Sequence, residues 1–249
     1  MSAPADPNFL AAFGFGPENI DELIGRLIDY DGFIAGGAAL YWFLGLESPA
    51  DQDLDIWIPS RCRRGPDHEN RHVALTTLPD GRPDLACYAY DRVVAEQMER
   101  MLGSMGFARE GGSGARFAAE GRGMPSDIPY HKNPEFQRVV KVIHDYRRGG
   151  GGAAAATGRK IQVIYYYGDT RPLDGFDLDV CKIAVYPTTP RSMFQFRLPE
   201  GLVEEDVRAR RMRITNTSCR ENLFRRMTKY FKRGFVLVGV SAGADTGDE

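Results

Sequence analysis

Two Asp-Leu-Asp triplets are the residues in this 249-residue chain whose types and spacing point most directly to chemistry. The first, Asp53-Leu54-Asp55, opens the apolar run Ile56-Trp57-Ile58; the second, Asp177-Leu178-Asp179, leads into Val180-Cys181-Lys182-Ile183. Carboxylates two apart on a strand point to the same face. Held a few ångströms apart they repel and raise a pKa unless a cation sits between them. Mg²⁺ suits that task, because it favours oxygen ligands and leaves coordination positions open for substrate phosphates. An acid inside an apolar strand is costly unless it is paired or metal-bound.

Upstream of the first triplet stands Phe33-Ile34-Ala35-Gly36-Gly37-Ala38-Ala39-Leu40. It reads as a strand, a Gly-Gly turn and the start of a buried helix. Two adjacent glycines let backbone N–H groups approach a phosphate at the helix N-terminus. Each feature has a plainer reading: a tight turn for the glycines, a solvated turn for Asp53 and Asp55, and a water-facing edge strand for Asp177 and Asp179. The Gly-Gly turn, buried helix and Asp-x-Asp entering an apolar strand form a narrower pattern together than any one of them alone.

Between Arg208 and Arg233 there are ten Lys or Arg residues and one acid, Glu221. On a helix over 220–232, Arg225, Lys229 and Lys232 or Arg233 form a basic stripe beside Phe224, Tyr230 and Phe231. Such a stripe suits a triphosphate or an RNA backbone, with Lys229 and Arg233 the candidate nucleotide contacts, or it is simply a solvated face. Lys160 and Gln162 read as decoration of a strand. Cys62, His68, His72 and Cys87 are of the types zinc prefers, but their spacing fits no standard finger. His131 and His144 read as ordinary surface or strand residues.

The elements that would position these groups mix without a strict βαβ rhythm, which predicts an α+β fold. Helices are expected over 18–30, 38–44, 91–105, 202–212 and 220–232. Strands are expected over 32–35, 54–58 (stopped by Pro59), 136–146, 160–167, 176–186 and 235–240. Gly149–Gly158 reads as a flexible hairpin connection, 111–134 as surface loop and the tail after Val240 as frayed.

Composition narrows the class. The chain is 43% hydrophobic and 27% charged with net charge −2, ordinary for a globular protein, so any nucleic-acid affinity must be local. No apolar run is long enough to span a bilayer, and the N-terminus lacks the pattern of a secretory signal. Four separated cysteines suggest free thiols, so a soluble, intracellular protein is expected, with no membrane partner.

The AGG…QDLDIWI block resembles the signature of the nucleotidyltransferase fold, the polymerase-beta-like superfamily that includes poly(A) polymerases. Taken with KIQVIYYY, FDLDVCK and RRMTKYFKRGFVL, it is similar more narrowly to uncharacterised nucleotidyltransferase-like proteins of large DNA viruses and some microbial eukaryotes. The resemblance runs from about Phe33 to Leu237. It implies a mixed sheet flanked by helices: an N-terminal helical lead (1–30), a core (31–200) and a basic C-terminal helical extension (201–249).

By position, the resemblance implies that Gly36 and Gly37 hold the triphosphate and that Asp53 and Asp55 ligate the Mg²⁺ ions of a two-metal site. Asp177 would be the third metal-binding carboxylate and would help activate the acceptor hydroxyl, with Asp179 the fallback. One departure stands out: the superfamily usually has serine where this chain has Gly37. The implied reaction moves a nucleoside monophosphate from an NTP such as ATP to a hydroxyl on RNA, protein or a small molecule. The alternatives are a catalytically silent member that binds nucleotide, RNA or a protein partner, and a zinc-stapled interaction module.

Overall fold

The computed structural model describes residues 4–60, 92–110, 139–148, 159–168, 170–188 and 193–240. After β1 (Pro4–Ala5), Pro17 starts α1 (Pro17–Asp29), whose Ile20, Leu23, Ile24 and Leu27 form one buried stripe. Proline is suited to a first helical position because its missing N–H would have no partner there. Then β2 (Phe33–Ala35) turns at Gly36 into α2 (Gly37–Leu44), a helix buried from Gly37 to Phe43 and closed by a left-handed Gly45. Strand β3 (Leu54–Ser60) follows, then α3 (Arg92–Ser104), β4 (Phe107–Arg109), β5 (Val140–Arg148) and β6 (Lys160–Tyr167). The remainder is β7 (Ala184–Thr188), β8 (Met193–Arg197), α4 (Glu204–Arg208), β9 (Arg211–Ile214), α5 (Arg220–Lys232) and β10 (Val236–Val240).

Eight strands form one sheet in the order β1-β8-β7-β2-β3-β6-β5-β4, and β10 and β9 form a separate parallel pair. Every pairing in the large sheet is antiparallel except β3 with β6. This is a mixed α+β architecture with helices against the sheet. Strands β2, β3 and β6 occupy its middle, and Ile34, Leu54, Ile56, Ile161, Val163 and Ile164 are sealed from solvent. Strands β5 and β6, which flank residues 149–158, pair antiparallel as the arms of a hairpin. Residues 149–158 themselves, 111–134 and the tail after Val240 lie outside the described residues.

Three expectations need correction. The stretch 176–186 is not one strand: Leu178 makes an isolated bridge to Ile214, Asp179–Lys182 form a 3₁₀ turn, and β7 starts only at Ala184. The Asp179 carboxylate accepts from Val180 N–H at 2.8 Å, a local bond that competes with an extended ladder. The expected helix over 202–212 stops at Arg208, because Arg210 adopts φ +54° and the chain turns into β9. Finally, Pro59 does not end β3. Pairing with β2 stops at Trp57 while pairing with β6 continues to Ser60, so the proline falls where the strand has one neighbour only.

Candidate functional site

Residues paired directly across strands share a sheet face, so the register defines a row. Ala184 (β7), Ala35 (β2), Asp55 (β3), Gln162 (β6) and Asp145 (β5) stand side by side. Two residues further along the same face, Phe33, Trp57, Ile164 and Ile143 form an apolar row. The polar row therefore marks where the core gives way to something built for charge.

Asp55 is its centre and is buried. Burial, then the nearby Asp53 carboxylate, pushes its pKa up to about 7. Its Oδ1 has no hydrogen-bond partner among the described residues. Its Oδ2 lies where a side chain on Gly36 would stand: a Cβ there would come within 2.6 Å of it. Gly36 has φ +82° as well, so both conformation and space demand glycine. The Gly-Gly turn and the Asp-x-Asp triplet, read as separate signals in the chain, are thus one structural unit.

Asp53 precedes β3 and is half-buried; burial raises its pKa, against the pull of Lys160. Lys160 Nζ is 3.4 Å from Asp53 Oδ2 and 3.9 Å from Asp145 Oδ2. Gln162 donates from Nε2 to Asp145 Oδ1 at 2.8 Å. Lys160 and Gln162, read from the sequence as decoration of a strand, do lie on β6, and with Asp145 they are neighbours of the acid pair. Alternation along β6 would flag 160 and 162 as one face, but only the register shows which acids they meet.

The C-terminal extension supplies the cations. Arg233 donates to Asp51 Oδ1 at 2.7 Å and to Gln52 Oε1 at 3.0 Å, tying α5 to the loop that delivers Asp53. Lys229 feels Asp51, Asp53 and Asp55, although burial and then Arg233 lower its pKa. A cavity of about 530 Å³ opens here, lined by Asp51, Phe224, Arg225, Lys229, Lys232 and Arg233 among others, with Phe224 largely exposed. Lys229 thus lies within the field of the first acid pair, and Arg233 binds the Asp51-Gln52 segment just before it.

The second triplet is placed otherwise. Asp177 accepts from Arg226 Nη1 at 2.7 Å. Asp179 accepts from the backbone N–H groups of Val180 and Arg213, both at 2.8 Å, with Arg213 Nη1 at 3.7 Å. Burial raises the Asp179 pKa, and those two backbone bonds oppose the rise. Asp177 is in a bend, Leu178 makes the isolated bridge and Asp179 starts the 3₁₀ turn, so the triplet is not part of a continuous strand. Among the described residues no three His, Cys, Asp or Glu side chains gather closely enough to hold a metal, so Asp177 and Asp179 do not join Asp53 and Asp55 in such a group. The cation between them is Arg226, which pairs with Asp177 and also acts on Asp55.

The donor set at Asp53 and Asp55 nevertheless fits Mg²⁺, which is commonly held by one or two carboxylates plus substrate phosphates. The orphaned Oδ1 of Asp55 and the obligatory glycine beside it are the observations that fit. Cys62, His68, His72, Cys87 and His131 lie outside the described residues, while His144 is a buried residue of β5. No helix among the described residues is long and apolar enough to cross a membrane. No protein-family model matches this chain. Nor does any curated protein match it. The reading of the site rests on its geometry.

Proposed function

We propose that this chain is a nucleotidyltransferase-like domain, akin to the viral group it resembles, that binds an NTP with Mg²⁺ and transfers its nucleoside monophosphate to a hydroxyl. One observation carries the reading: a buried carboxylate with an unpartnered oxygen, Asp55, packed against a Gly-Gly helix start and faced by the cations of α5. An anion at the start of α2 meets backbone N–H groups and the positive end of the helix. Lys229 and Arg233 would offset the charge of the outer phosphates. Asp53 and Asp55 would hold Mg²⁺, which when bound polarises the α-phosphate and steadies the leaving oxygen. In the transfer the acceptor oxygen bonds to the α-phosphorus, the bond to the β-phosphate oxygen breaks, and pyrophosphate leaves.

A second reading is favoured by two particular observations. The residue beside Asp55 on β6 is an amide, Gln162, and Asp177 is already matched by Arg226. A domain so built would bind the nucleotide without turning it over. Incubation with each NTP, Mg²⁺ and candidate acceptors, with pyrophosphate as the readout, separates the two. Transfer predicts pyrophosphate release that Asp55→Asn abolishes. Tight Mg²⁺-dependent binding with no release supports the silent binder, and absence of both defeats the nucleotide reading.

A further inference from the structure

Gln52, the acceptor of Arg233 in the loop before the acid pair, is a buried amide only 5% exposed. Its carboxamide lies over the first residue of α2: a Cβ on Gly37 would meet Oε1 first and would fall 2.6 Å from both Cδ and Nε2. Gly37 needs no left-handed backbone, unlike Gly36, so the space above it is what keeps residue 37 small. Two bonds set the direction of the amide. Oε1 accepts from Arg233 Nη1 at 3.0 Å, and Nε2 donates to Asp53 O at 3.1 Å. A guanidinium can only donate, so Arg233 fixes Oε1 towards itself and turns Nε2 away. Of the two Nε2 protons one goes to Asp53, and no described residue takes the other.

We propose that Gln52 is a phosphate-binding residue, its amide locked as a donor by Arg233 over the N-terminus of α2, standing where a side chain on residue 37 would otherwise reach. The inference rests on the nucleotide reading above and adds a named contact to it. The free Nε2 proton and the first backbone N–H groups of α2, which have no partner within the helix, make one donor set. Asp55, whose Oδ2 lies against the same turn and whose Oδ1 has no partner among the described residues, adds a negative charge there, so the anion accepted is one that arrives with a cation, as a phosphate chain does with Mg²⁺. Arg233 acts through Gln52 and is a positioning residue in this arrangement.

The test is calorimetric titration of the full chain with Mg²⁺ and α,β-methylene analogues of the four ribonucleoside triphosphates, repeated with Mg²⁺ and inorganic tripolyphosphate. Gln52→Ala is expected to weaken both ligands about tenfold, the scale of one hydrogen bond to a charged group. Gln52→Met, which keeps the bulk over Gly37 but removes the donor, should do the same and guards against a folding artefact. Gly37→Ser alone should also weaken binding, because its Cβ would displace the amide. The double variant Gly37→Ser/Gln52→Ala, with a hydroxyl in the vacated space, should recover most of the loss; a purely structural Gln52 gives no such rescue. Unchanged affinity in Gln52→Ala and Gln52→Met, or no rescue in the double variant, overturns the proposal while leaving the nucleotide reading intact. Failure of the wild-type chain to bind any probe overturns both.

Discussion

The same tripeptide, Asp-Leu-Asp, occurs at 53–55 and at 177–179, and the molecule treats the two in opposite ways. At 53–55 it opens a central strand, and the inner carboxylate is buried with one oxygen unmatched. At 177–179 both acids are buried too, but Arg226, Arg213 and the backbone N–H of Val180 answer them. What separates a site from a clamp is therefore the set of partners. The second pair is held by residues contributed mainly by the C-terminal extension: Thr215 N–H donates to Asp177 O and Thr215 Oγ1 donates to Phe176 O. Arg213 in turn also pairs with Asp206. This acid–arginine clasp anchors β9 and α5, and α5 then presents Lys229 and Arg233 to the first pair. On the proposed nucleotide reading the first triplet would hold the cation, while the second fastens the C-terminal extension.

The largest expected effect breaks the comparison at its chemical end. Asp53→Asn or Asp55→Asn should lower nucleotidyl transfer by about 10³-fold or more, with far-UV circular dichroism unchanged, because each removes a charge the Mg²⁺ needs. Next comes the clamp. Arg226→Met strands the buried Asp177 carboxylate and should cost about 2–4 kcal/mol, read as a fall in Tm. Arg226→Met/Asp177→Leu should recover most of it, since neither charge is then left alone.

A pH titration sharpens the contrast. In chelator the native Asp55, with its pKa near 7, keeps a proton that the unfolded chain, at 3.8, has already released. Its contribution to stability therefore falls as pH rises from about 4 to about 7, by roughly 4 kcal/mol. Denaturant melts of wild type and Asp55→Asn should diverge across that window, the variant being the more stable above pH 7. The smallest effect is at Lys160. Lys160→Met removes a cation from Asp53 and Asp55, so the midpoint of that divergence should move up by about 0.5 pH.

Much of the frame was legible in the chain. The stripe Ile20, Leu23, Ile24, Leu27 and the run Gly37–Phe43 marked α1 and α2 through periodicity and uniform burial, and β-branched, aromatic-rich segments marked β3 and β6. Gly36, Asp53 and Asp55 were readable because strand, turn and strand lie within one short stretch, so local geometry nearly suffices. The corrected elements depend on distant partners. Strand β9 exists because Val236–Val240 pairs with it, and the 3₁₀ turn after Leu178 exists because Asp179 caps its own backbone and receives Arg213 N–H. Asp145 and Gln162 were missed for the same reason. Their place beside Asp55 is set by the register of three strands, which no pattern within a single segment encodes. Gln52 carried no motif at all; only its position over Gly37 and the bond from Arg233 single it out.

We propose that the first Asp-Leu-Asp binds a divalent cation and that the second does not. Electron paramagnetic resonance of Mn²⁺ titrated into the chain with a non-hydrolysable NTP tests it directly, in wild type, Asp55→Asn and Asp177→Asn. The account predicts that wild type and Asp177→Asn deplete the free Mn²⁺ signal alike and that Asp55→Asn leaves it undiminished. Depletion by Asp55→Asn equal to wild type, or its loss in a folded Asp177→Asn, would contradict the account.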